Sequence, residues 1–135
     1  VTLVVDASVA VKFGVKEAGA EHAKALVARG EQIIAPDILA SEVVSALWKK
    51  GLRGDLGLPE RGIALAASLD AYDEFAPCKD LAERALELAI ALKHPVYDCF
   101  YLALAEARDA TFVTADARLL ARLEQGGWEG KFEAL

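Results

Sequence analysis

The sequence predicts an α/β fold, a three-layer α/β/α domain with a mostly parallel central sheet. Three observations predict it. Short β-branched runs alternate with longer stretches of helical periodicity along all 135 residues, as expected for one domain spanning residues 1–135. The run Val1-Thr2-Leu3-Val4-Val5 is continuous rather than alternating, as in a parallel strand buried on both faces. The pattern of β-run, acid and helix at Asp6 returns at Asp116. Strands alternating with helices imply a parallel sheet covered on both sides.

Residues 1–5 make the first strand, ending at Asp6. Ser8 can cap a helix over 9–13, with Gly14 as its stop; Asp6 reads as a cap as well. Residues 17–29 have helical spacing, with Ala18, His22, Ala25 and Leu26 on one side and Gly30 as the stop. His22 reads as a helix-surface residue. Residues 32–35 make a second strand, and Pro36-Asp37 opens a helix over 38–48. Asp37 reads as a first-turn charge with no further role. Lys49, Lys50 and Arg53 close that helix, either as cations at its C-terminus or as phosphate contacts. Gly51, Gly54 and Gly57 mark a loop before a helix over 58–69.

Residues 72–75 read as a short strand or an irregular link. Asp80 caps a helix over 81–92, whose Leu81, Ala85, Leu88 and Leu92 form an apolar stripe. Pro95 opens the next helix at its first position, which places Asp98 in the first turn. This helix is apolar nearly all round, with Tyr97, Tyr101 and Leu104 on one side and Cys99, Leu102 and Ala103 on another. Such a helix belongs in a core. His94, just before it, reads as a helix-end residue close to Asp98. The strand 110–114 leads to Asp116, which can cap a helix over 117–123. Gly126-Gly127 makes a turn, and residues 128–132 a last edge strand.

The net charge of −6 argues against a protein that grips nucleic acid through a broad basic surface. It leaves open an enzyme that acts on nucleic acid, because acidic metal ligands supply negative charge themselves. Cys78 and Cys99 fit neither a metal spacing nor a disulfide framework. Charge interrupts every apolar run well short of the ~18 residues a membrane span needs. No basic-then-apolar leader opens the sequence, so a reduced, cytoplasmic setting is expected.

Four acids stand out from their surroundings. Asp6 and Asp116 sit at strand carboxyl ends, where α/β sheets place their functional crevice. Glu42 lies between Ile38 and Ala46 on an apolar helix, and Asp98 on the stripe of Leu102 and Ala105. A buried carboxylate must be paired, protonated or bound to metal. Four converging carboxylates repel one another, and hard divalent cations such as Mg²⁺ or Mn²⁺ match an all-oxygen donor set. One or two such ions can activate water and stabilise a phosphodiester's leaving oxygen.

The ordered segments Val4-Val5-Asp6-Ala7-Ser8, Leu39-Ala40-Ser41-Glu42-Val43, Tyr97-Asp98 with Tyr101-Leu102-Ala103-Leu104-Ala105, and Val113-Thr114-Ala115-Asp116 resemble the successive motifs of PIN domains. The sequence is most similar to VapC-type toxins of prokaryotic toxin–antitoxin pairs, over essentially its whole length. The resemblance implies a Mg²⁺- or Mn²⁺-dependent endoribonuclease with Asp6, Glu42, Asp98 and Asp116 as its acidic quartet. It places Ser8 and Thr114 at the small hydroxyl positions that support the ligands. A further acid follows the last motif in some members; Arg118 and Leu119 stand there instead. An RNA substrate, a VapB-like antitoxin and a homodimer are implied as partners. Lys49, Lys50, Arg53 and Arg118 are the candidates for RNA phosphate contacts.

Two other acid-bearing folds fit less well. A receiver-like phosphoacceptor would show adjacent acids after the first strand and a late Lys-Pro, whereas Ala7 follows Asp6 and Phe132 follows Lys131. A haloacid-dehalogenase-type phosphatase would carry a second Asp where Ser8 stands. The remaining alternative is a PIN-like binding or regulatory protein with little or no nuclease activity.

Overall fold

The computed structural model describes residues 1–135. In chain order the elements are β1 (Thr2–Val5), α1 (Ala7–Gly14), α2 (Ala20–Ala28), β2 (Gln32–Pro36), α3 (Ile38–Leu52), α4 (Leu58–Asp70), β3 (Glu74–Ala76), α5 (Cys78–Leu92), α6 (Val96–Arg108), β4 (Thr111–Thr114), α7 (Ala117–Glu124) and β5 (Lys131–Ala134). The five strands form one sheet in the order β3-β2-β1-β4-β5, and every pairing is parallel. The expected α/β class with a parallel sheet is what the chain forms.

β1 is the central strand. Its Leu3, Val4 and Val5 point alternately to opposite faces yet are all fully buried, so helices cover both sides. Helices α1 to α4 pack among themselves, whereas α5 packs on α6, which lies against β1, β2 and β4. Gly14 is the contact point of α1 with α4: a Cβ there would collide with the backbone of Ala64. No single helix is long and apolar enough to cross a membrane.

The core of α6 is as the pattern predicts. Cys99 and the run Tyr101-Leu102-Ala103-Leu104-Ala105 are buried, and the Tyr101 ring packs against Phe112 of β4 with centroids 6.2 Å apart. Each such large side chain contributes roughly 1.5–3 kcal/mol by burial. Tyr97 departs from the expectation. It is 60% exposed, because the side of α6 that begins at Tyr97 emerges from the core at its first turn.

Several boundaries also differ. Asp6, not Ser8, caps α1: its carboxylate accepts from the Val9 N–H, and Ser8 lies in the first turn. The expected helix from residue 17 starts only at Ala20, because Gly19 adopts φ +90° and leaves Glu17 in a turn. α5 begins at Cys78 after Pro77, so Asp80 lies in its first turn and is not the cap. Pro95 occupies the position before α6 rather than its first residue. Asp37 does have a further role, since its Oδ1 accepts from the Cys78 N–H at 3.1 Å and ties the start of α5 to that of α3.

Candidate active site

Strand order reverses direction beside β1: the chain moves outward through β2 and β3, then returns to the other side of β1 with β4. In parallel sheets this reversal opens a crevice at the strand carboxyl ends. Val5 is in register with Val113, so the residues just after them, Asp6 and Thr114, meet at that point. The Asp6 N–H extends the pairing by donating to the Val113 carbonyl at 3.2 Å.

Asp6 is only 6% exposed. The Ser8 and Thr114 hydroxyls donate to its two carboxylate oxygens, each at 2.5 Å, and the Val9 N–H donates at 3.3 Å. Burial pushes its pKa up from the usual carboxylate range to about 6; the three donors act against that rise, and the Asp98 charge adds to it. Ser8 and Thr114 also organise the β4 end. Ser8 Oγ accepts from the Ala115 N–H at 2.9 Å, and Thr114 Oγ1 from the Asp116 N–H at 3.0 Å.

Glu42 lies one turn into α3 and is half-buried. The Tyr101 hydroxyl, reaching across from α6, donates to its Oε1 at 2.5 Å. Desolvation raises the Glu42 pKa, the Tyr101 hydrogen bond opposes that, and Asp98 raises it further. The Tyr101 hydroxyl is itself held protonated by burial and by the Glu42 charge. Asp98, in the first turn of α6, has its Oδ2 2.7 Å from His94 Nε2. Asp116 is exposed and caps α7, its Oδ1 accepting from the Arg118 and Leu119 N–H groups at 2.9 and 3.3 Å.

The four acids thus fall into two relations. Asp6 and Glu42 both feel the charge of Asp98, whereas Asp116 is joined to Asp6 through Thr114. No three Asp, Glu, His or Cys side chains close on one point as a finished ligand cage. Three carboxylate oxygens receive no hydrogen bond from the protein and stay open to solvent or a cation: Glu42 Oε2, Asp98 Oδ1 and Asp116 Oδ2. An all-carboxylate donor set with uncommitted oxygens and mutual repulsion fits a hard divalent cation.

Next to Ser8 and Glu42 opens a cleft of about 540 Å³, lined in part by Lys49, Lys50 and Arg53. Lys49 is exposed and Arg53 pairs with Asp55 at 3.3 Å. Arg118 is exposed on α7 and does not line this cleft. Sequence reasoning missed three participants. Tyr101 was legible only as core, and its partner Glu42 is 59 residues away. Lys12 and Glu17 also line the cleft, and no local pattern marked them. His94 did carry a signal, its place four residues before Asp98.

The all-parallel sheet carries Asp6 and, just past Thr114, Asp116 at its central switch point, and residues 3–125 match the PIN domain family. The chain belongs to that family. It is 35% identical over 127 residues to Ribonuclease VapC3 of Pyrobaculum aerophilum, covering 87% of this chain and 91% of the relative. It is 34% identical over 117 residues to Ribonuclease VapC9 of Mycobacterium tuberculosis, covering 87% of each. The crystal structure of PAE2754 from Pyrobaculum aerophilum is similar over 98% of this chain and 83% of that one, with a TM-score of 0.73 at 25% identity.

Proposed function

We propose that this protein is a Mg²⁺- or Mn²⁺-dependent endoribonuclease, the toxin of a VapBC-type toxin–antitoxin pair. The observation that carries this reading is the set of uncommitted oxygens on Glu42, Asp98 and Asp116 beside the buried Asp6. Similarity to two VapC ribonucleases supports the substrate class. A bound divalent cation would supply an activated water and charge stabilisation at the leaving oxygen.

The chain's own residues do the rest. Ser8 and Thr114 hold the Asp6 carboxylate in one orientation. Tyr101 occupies one oxygen of Glu42, and His94 one oxygen of Asp98, which leaves the other oxygen of each for the cation. Lys49, Lys50, Arg53 and Arg118 contact RNA phosphates. Exposed apolar side chains on α3 and α4 (Trp48, Leu52, Leu58, Ile63) and on α5 and α6 (Leu86, Ile90, Tyr97) support an antitoxin and a second copy of the chain as partners.

The direct test is incubation of a labelled single-stranded RNA with the protein in Mn²⁺ and in EDTA. Cleavage in Mn²⁺ alone is expected; an intact strand in both would overturn the reading in favour of a binding protein. Tyr101→Phe tests the positioning of Glu42, because it removes one hydroxyl and keeps the packed ring. Loss of a hydrogen bond to a charged group is expected to weaken Mn²⁺ binding, measured by calorimetric titration, by about tenfold. Unchanged affinity would reduce Tyr101 to a core residue.

A further inference from the structure

The turn between α1 and α2 brings Glu17 between two lysines that no local sequence pattern pairs. Glu17 Oε2 lies 3.3 Å from Lys12 Nζ of α1, and Glu17 Oε1 lies 3.3 Å from Lys50 Nζ of α3. All three side chains are largely buried, with 15%, 17% and 28% exposed for Lys12, Lys50 and Glu17. Lys12 is fixed by a second acceptor, the Ala18 carbonyl at 2.8 Å. Gly19 makes room for it: a Cβ there would press on the Lys12 side chain at 3.1 Å, and its φ of +90° suits glycine. Glu17 Oε1 is buried but takes no hydrogen bond, so its pairing with Lys50 is a charge contact of imperfect geometry.

This cluster lines the same cleft as Ser8 and Glu42. On α1, Lys12 lies one turn beyond Ser8 and on the same side. On α3, Lys50 is eight residues past Glu42, which at a rise of ~1.5 Å per residue is ~12 Å along the axis. Two ammonium groups straddling one carboxylate, a short reach from the acids, match the charge and size of a backbone phosphate next to the reacting one.

We propose that Lys12 and Lys50 form a subsite for an RNA backbone phosphate flanking the scissile one, and that Glu17 occupies this subsite in the free protein as a built-in competitor. The inference rests on the ribonuclease reading of the neighbouring acids. The incoming phosphate takes both lysines, and the Glu17 carboxylate swings out toward solvent from its turn. Glu17 therefore lowers affinity for strands that bring a phosphate to this position, because they must displace it, and leaves strands too short to reach the subsite unaffected.

The test measures binding of a fluorescently labelled single-stranded RNA by anisotropy in EDTA, so that no cleavage enters. Asp6, Glu42, Asp98 and Asp116 repel RNA alike in every variant, and the ratios to wild type carry the result. Glu17→Gln is expected to tighten binding about threefold to tenfold. Lys12→Gln and Lys50→Gln are each expected to weaken it, and combined to lower the salt slope of log affinity by about 0.7, the value for one phosphate on a single strand. Melting curves confirm that each variant is folded, and Lys50→Arg is expected to restore binding. If Glu17→Gln binds no tighter than wild type, or if the combined lysine variant keeps the wild-type salt slope, the subsite is wrong. Failure of wild type to cleave in Mn²⁺ while these ratios hold would overturn the nuclease reading alone.

Discussion

Asp98→Asn is expected to lose RNA cleavage by about a hundredfold or more and to lose the stabilisation that Mn²⁺ gives the wild-type protein. Asp98 is the charge that Asp6 and Glu42 both feel, so it lies between them electrostatically. With Mn²⁺ at ~100 times its dissociation constant, linkage predicts about 2.7 kcal/mol of added stability. For a domain of this size that is a rise in Tm of roughly 8 °C. In EDTA the sign reverses. Removing one of three repelling charges should raise the Tm of the variant above wild type, and the asparagine keeps an oxygen acceptor for His94. Asp70→Asn, at the exposed end of α4, is the control. Asp37 would be a poor one, because it holds the N–H of Cys78. Equal Mn²⁺-induced shifts in the Asp98 and Asp70 variants would make Asp98 an ordinary first-turn acid.

The second large effect is a pH dependence of stability centred on Asp6. Its folded-state pKa of about 6 lies above the ordinary value of 3.8. Below about pH 4 both folded and unfolded chains hold the proton, and the group costs nothing. As pH rises, the unfolded chain releases the proton first, so the folded state is increasingly disfavoured. The loss levels off above about pH 6 and totals about 3 kcal/mol, since each tenfold difference in proton affinity between the two states is worth about 1.4 kcal/mol. Glu42, also raised, adds in the same direction. In EDTA the Tm of Asp6→Asn minus that of wild type should therefore climb between about pH 4 and pH 7. The asparagine also loses a partner for Ser8 or Thr114, but that offset does not vary with pH. With Mn²⁺ present the wild-type loss should shrink toward neutral pH, because metal binds the ionised carboxylates. A difference between variant and wild type that stays flat with pH would show that Asp6 is ionised freely despite its burial.

What the sequence discloses here depends on how local each signal is. Asp6 and Asp116 were legible because a strand, an acid and a helix follow one another within a few residues, and the fold places their backbones at one switch point. Glu42 was legible because a charge on an apolar helix contradicts its neighbours. The hydroxyl that meets it belongs to Tyr101, and nothing near residue 42 foretells a partner on another helix. Tyr97 went the other way. Aromatic character suggested burial, but the first turn of α6 emerges from the core and leaves it exposed. The Lys12–Glu17–Lys50 cluster was hidden because a left-handed residue, Gly19, shortened a helix that periodicity extended through Glu17.

The pairing of β1 with β4 also bears on how the molecule is made. Asp6 and its partner Thr114 are 108 residues apart, and the hydrogen bond between them exists only after β4 has docked. Contacts this distant form late and slowly, because a long loop must close first. A chain emerging from the ribosome carries Asp6 and Glu42 early but no organised crevice until β4 has appeared. Premature termination anywhere before β4 therefore yields a fragment with exposed apolar β1 edges and an unassembled centre. Topology alone makes the crevice contingent on one late event, the docking of β4 beside β1.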